Sequence, residues 1–190
     1  MDQLQTFIEK QIKIYPKVNN LEILLGKQQS DNIFKTIYHD NNECEFAKLI
    51  KHFRNFKLSY SQGKMYKYLN YQLKTFNNKY TEIHKTTLLE KEIIHLSKYD
   101  MLVQNNNLEV LQEFPLKKEY NEEAEYDEVN IHLSKDSNEQ LLIFQKKGDY
   151  HLLKLVLKID VNLPYMLLDE LMKDIKRVLK ILEDNGLTFS

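Results

Sequence analysis

Cysteine, glycine, proline and arginine are all scarce in this chain: one, four and three of the first three, and arginine only at Arg54 and Arg177. A lone thiol excludes a disulfide within the chain and a cysteine-based zinc site. Cys44 sits between Glu43 and Glu45, and two carboxylates disfavour a thiolate nucleophile. The glycines, Gly26, Gly63, Gly148 and Gly186, never cluster. Neither a GxGxxG turn nor a Walker A loop is present, since both need clustered glycine to bring backbone N–H groups to phosphate. Met1-Asp2-Gln3-Leu4 has no basic, apolar character of a leader. No apolar run approaches the ~20 residues needed to span a bilayer. These absences predict an intracellular protein with no membrane partner. Lysine, asparagine, isoleucine and tyrosine are abundant, a bias expected of AT-rich coding, as in a large DNA virus, a protist or an AT-rich bacterium.

Acid is also missing, over one long stretch. Residues 46–81 contain no Asp or Glu, yet carry Lys48, Lys51, Arg54, Lys57, Lys64, Lys67, Lys74 and Lys79. Tyr60, Tyr66, Tyr68, Tyr71 and Tyr80 are threaded among them, while the whole chain has a formal net charge of −1. Clustered lysines displace counterions from phosphates and aromatic faces stack on bases. The block therefore predicts a polyanion-binding face made of Lys48, Lys51, Arg54, Lys57, Lys64, Lys67, Lys74, Tyr66 and Tyr68. The alternative is a solvated helix face and a half-exposed strand.

At 190 residues with 42% hydrophobic and 29% charged side chains, the composition predicts a single globular domain over 1–190. Leu4, Phe7, Ile8, Gln11, Ile12 and Tyr15 recur at helical spacing, and Pro16 stops that helix. Residues 21–25 and 33–38 read as strands, and 42–53 as a helix capped by Asn41 or Asn42. Residues 65–76 then read as one strand, turning at Asn77-Asn78 into 80–89. A second hairpin is expected over 99–114 with its turn at Asn105-Asn106-Asn107. Residues 119–128 hold six acids and no base, and read as a solvated loop. A third hairpin pairs 128–134 with 140–146, and 150–161 is a final strand. Asn162 and Pro164 open a helix whose stripe is Leu167, Leu168, Leu171, Ile175, Val178, Leu179 and Leu182; Gly186 ends it. The order predicts an α+β fold, an antiparallel β-meander or open barrel flanked by N-terminal, internal and C-terminal helices.

The histidines are scattered, and of these His84, His132 and His151 fall on predicted strands that could converge on zinc. Surface or satisfied histidines are the plainer reading.

Leu21-Glu22-Ile23-Leu24-Leu25-Gly26-Lys27 resembles the first strand of the triphosphate-tunnel metalloenzymes, the family of viral and fungal RNA triphosphatases, and the element order is alike over most of the chain. The resemblance implies a tunnel lined by Lys67, Lys74, Lys85, Lys154 and Lys158, with Mg²⁺ or Mn²⁺ held by paired glutamates. Only Glu22 matches on the first strand, beside Asn20 and Leu24. The late strand 153–160 carries lysines where acids would stand, leaving Asp160 as its one acid. From the residues alone, the expectation is a non-enzymatic module with no cofactor and no metal-dependent phosphate release. Its partner would be single-stranded RNA or DNA or an acidic protein. The alternatives are a tunnel-type phosphohydrolase or its degenerate relative, with Glu22 and Asp160 on a metal, and a structural subunit of a larger assembly.

Overall fold

A computed structural model describes residues 2–15, 19–31, 33–35, 50–77, 79–112, 123–133, 140–147, 150–159 and 165–184. Helix α1 is Asp2–Ile14 and helix α2 is Tyr165–Asp184; between them run β1 (Asn19–Ser30), β2 (Ile33–Lys35), β3 (Lys57–Tyr68), β4 (Tyr71–Phe76), β5 (Tyr80–His95), β6 (Asp100–Leu111), β7 (Glu123–His132), β8 (Gln140–Lys147) and β9 (Tyr150–Ile159). The sheet order is β2-β1-β6-β5-β4-β3-β7-β8-β9, and β1 also pairs with β9. That last pairing, Leu21 opposite Leu157 and Ile23 opposite Leu155, closes β1 and β3–β9 into an eight-stranded antiparallel barrel. The fold is thus the expected antiparallel α+β class, with the barrel shut.

Two-residue alternation sorts each strand between two environments. Leu21, Ile23 and Leu25 of β1, Met101 and Val103 of β6, Ile131, Leu142 and Leu155 are buried in one core with Leu4, Phe7 and Ile8 of α1 and Leu168, Leu171, Met172, Ile175, Val178, Leu179 and Leu182 of α2. The helices therefore cover the outer face of part of the barrel. The alternate residues, Asn20, Glu22 and Leu24 among them, face its interior.

Gly26 marks the point where β1 leaves β6 and takes β2 as a neighbour, between Gly26 opposite Asp100 and Lys27 opposite Lys35. A Cβ there would meet the Lys35 carbonyl oxygen at 1.9 Å. Gly26→Ala is expected to cost about 1–3 kcal/mol, the range for overpacking against backbone. An unchanged denaturant midpoint would show that β2 shifts freely.

Three local expectations are corrected. The 65–76 strand is interrupted: β3 and β4 turn at Leu69-Asn70, with Leu69 at φ 51°, a conformation that no leucine signals in sequence. Asn105 and Asn106 form no turn but lie buried in mid-strand β6. Asn105 Nδ2 donates to Gln11 Oε1 at 2.9 Å, and Gln11 Nε2 donates to Glu90 Oε2 at 2.6 Å. A bulge in β5 between Leu88 and Glu90, opposite these asparagines, sets Glu90 in reach. The hairpin turn comes earlier, at residues 96–99, where Leu96 N–H donates to the Tyr99 carbonyl. Finally, 123–128 is no solvated loop but the first half of β7. The predicted internal helix falls mostly outside the described residues, as do the 136–138 turn, Asn162, Pro164 and Gly186.

Candidate functional site in the barrel interior

Residues directly opposite in an antiparallel ladder share a face. Glu128 of β7 stands opposite Ser61 of β3 and Gln145 of β8. Lys74 of β4 stands opposite Met65 and Glu82, and Lys154 of β9 opposite Ile143 and Leu24. These side chains meet inside the barrel. Lys74 Nζ donates to Glu128 Oε2 at 2.7 Å, Gln145 Nε2 to Glu128 Oε1 at 2.8 Å, and Ser61 Oγ to Oε2 at 3.3 Å. The Lys74 and Glu128 side chains are only 14% and 5% exposed. Lys154 faces Glu22 at 3.7 Å.

Burial alone would raise the Glu128 carboxyl pKa; the Lys74 charge and hydrogen bond, the Lys154 charge and the Gln145 amide reverse that and hold it below the ordinary glutamate value. Burial lowers the Lys74 ammonium below the ordinary lysine value, although Glu128 opposes the shift, and the Lys154 charge lowers it further. Lysine charge is thus concentrated at partly desolvated ammoniums, a setting in which a phosphate oxygen competes well with water.

An aromatic rim adjoins this pair. Lys74 Nζ lies 4.6 Å from the centre of the Tyr126 ring and 5.1 Å from that of Phe76. Phe76 meets Tyr126 edge-on and stacks nearly parallel on Tyr80, ring centres 4.7 Å apart. Tyr126 donates its hydroxyl to the Thr75 carbonyl; burial first, then the Glu128 charge, hold its phenol pKa well above the ordinary value. Gly63, opposite Tyr126, leaves that carbonyl its room, since a Cβ would stand 2.1 Å from it. Two strand positions away from the rim, His84 Nε2 and Glu82 Oε2 are 3.0 Å apart. By alternation, His84 shares the inner face of Glu82.

Among the described residues of the predicted basic face, Lys51, Arg54, Lys57, Lys64 and Lys67 are exposed and Lys74 is enclosed. Lys64 and Lys67, three apart on β3, point to opposite faces. Tyr66 is half-buried; Lys48, Asp160 and the side chains of Tyr68 and Lys158 lie outside the described residues. Of the tunnel lysines, Lys74 and Lys154 are inside. Lys85 is corrected: it stands opposite Tyr71 with its ammonium 5.8 Å from that ring, on the face away from Lys74. Sequence reasoning missed Glu128, Gln145 and the Glu82–His84 pair. The available signal was the alternation of Glu128, Asn130 and His132 with Val129, Ile131 and Leu133, a strand with one polar and one apolar face.

Among the described residues no group of three or more His, Cys, Asp or Glu side chains could hold a metal ion. His84 is paired with Glu82, and His132 Nε2 lies 3.1 Å from Ser59 Oγ. Of the inner carboxylates, Glu22 and Glu128 are each engaged by a lysine and Glu82 by His84. The described side chains do not fit a resident divalent metal.

No protein-family model and no curated protein matches the sequence. The fold is nevertheless similar to that of the RNA triphosphatase Pct1 of S. pombe, with a TM-score of 0.70 and 9% identity over 95% of this chain and 91% of that one. Pct1 in complex with the Spt5 CTD gives 0.65 at 8% identity, over 95% and 92%. The Mimivirus capping enzyme triphosphatase gives 0.53 at 13% identity, over 93% and 96%. The resemblance drawn from residues 21–27 is thus matched by the architecture of the whole barrel. These likenesses correct the expectation of a non-enzymatic module binding polyanions through a basic Tyr-rich face. The structural neighbours are enzymes, and the lysine best held by other groups points into the barrel. No helix among the described residues is long and apolar enough to cross a membrane.

Proposed function

We propose that this chain is a phosphohydrolase of the triphosphate-tunnel type, acting on the triphosphate end of RNA or of a nucleotide drawn into the barrel. The observation that carries the reading is the enclosed Lys74, fixed by Glu128 and Gln145, with Lys154 close enough to act on both electrostatically. In this reading Lys74 and Lys154 bind phosphate oxygens and neutralise charge as the terminal group transfers. The Glu82–His84 pair orients a water: its oxygen bonds to the terminal phosphorus, the bridging P–O bond breaks, the diphosphate end leaves, and His84 takes the proton. No step passes through a resident metal. A divalent ion arriving on the triphosphate is part of the substrate.

The test is release of terminal phosphate from triphosphate-ended RNA and from nucleoside triphosphate, with and without added Mg²⁺ or Mn²⁺. Lys74→Ala is expected to lower kcat/KM roughly tenfold to a hundredfold, the loss expected of one charge-assisted contact. Wild-type protein that neither binds nor cleaves either substrate would end the proposal.

A further inference from the structure

Tyr80 plays no part in the chemistry just described, yet its setting is unusual. It is 57% exposed, at the barrel rim beside the β4–β5 turn, and one face of its ring is stacked on Phe76 at 4.7 Å with 9° between the planes. Phe76 is in turn fixed edge-on by Tyr126. The ring is therefore held in place while much of its surface stays in water. Opposite residues of a ladder share a face, and Phe76 stands opposite Tyr80. Tyr80 is thus on the same inner face as Lys74, next to the opening.

Lys74 Nζ and the Tyr80 ring both neighbour Phe76, at 5.1 Å and 4.7 Å from its ring centre. An ammonium and an exposed aromatic face on one inner strand face suit a ligand with phosphates at one end and a base at the other.

We propose that Tyr80 is a stacking platform for the base of the nucleoside that carries the triphosphate, so that the tunnel selects nucleotides over bare polyphosphate. The inference rests on the triphosphate reading of the interior. An exposed ring whose other face is already covered by Phe76 accepts a base without rearrangement, and base–aromatic stacking is sequence-tolerant because every base has a π-face.

The experiment compares three probes by calorimetry: inorganic tripolyphosphate, the β,γ-imido analogue of ATP, and a 5′-triphosphate oligonucleotide. Wild-type protein is expected to bind both nucleotide probes more tightly than tripolyphosphate, by roughly tenfold to a hundredfold. Tyr80→Ala should remove that margin and leave tripolyphosphate affinity unchanged, while Tyr80→Phe keeps the margin. Equal affinity of wild-type protein for tripolyphosphate and the ATP analogue would overturn the platform. So would equal loss for all probes in Tyr80→Ala, or a Tyr80-dependent gain confined to the oligonucleotide, which would move the contact to a later base. Failure to bind any of the three would overturn the triphosphate reading itself, and the platform with it.

Discussion

Leu171→Ala is expected to lower the unfolding free energy by about 2–5 kcal/mol, the usual range for truncating a buried leucine. Leu171 is 4% exposed and sits mid-stripe on α2, in the core shared with α1 and the outer faces of β1, β6, β8 and β9. The loss has two parts: lost transfer energy, and a cavity that rigid strands on one side cannot collapse to fill. A denaturant melt measures it. A change under about 0.5 kcal/mol, the scale of surface substitutions, would mean that α2 is not seated on the barrel.

Glu128→Gln should cost roughly 3 kcal/mol at neutral pH, as expected when one partner of a buried ion pair is removed and the other stays charged. The loss should depend on pH in a defined direction. In the folded protein the Glu128 carboxyl is held below its ordinary value of 4.5. A depressed folded pKa gives stability that is fully present above the unfolded value and lost as pH falls through the folded one. The gap between wild type and variant should therefore be constant from neutrality to about pH 5 and close progressively below 4.5. At that acid end both proteins carry an uncharged group beside a protonated Lys74. Replacing both partners, Lys74→Met with Glu128→Leu, should recover much of the stability, because no buried charge is then left alone. Thermal unfolding followed from pH 3 to pH 8 distinguishes this from a packing role, in which the gap would persist in acid.

Periodic segments were the legible part of the chain. The α2 stripe needed only 3.6-residue spacing, and Leu168, Leu171, Ile175, Val178, Leu179 and Leu182 are buried as that spacing predicts. Leu21, Ile23 and Leu25 were equally readable as one strand face. Turns were legible only where the chain chose residues suited to them: Asn77 does adopt a positive φ, but so does Leu69. Asn105 and Asn106 have turn chemistry, yet Gln11 from a helix some ninety positions away gives Asn105 a partner within the strand. The acid-rich 119–128 segment misled for a related reason. Its charges were counted together, while pleating sends Glu125 and Asp127 to solvent and Tyr126 and Glu128 inward.

Readable from the chain alone were an antiparallel α+β class, the lack of an internal disulfide, an amphipathic helix late in the chain and a first strand that resembles that of the triphosphate-tunnel enzymes. These follow from local spacing, which nearest neighbours along the chain largely dictate. Which lysine is enclosed follows from the long-range pairing of strands. Alternation assigns every strand two faces, but which face looks into the barrel depends on closure through β1 and β9, whose paired residues are at least 130 positions apart. That closure encloses Lys74 with Glu128, leaves Lys64 exposed and turns Lys85 to the outer face, although in sequence all three are lysines on neighbouring strands.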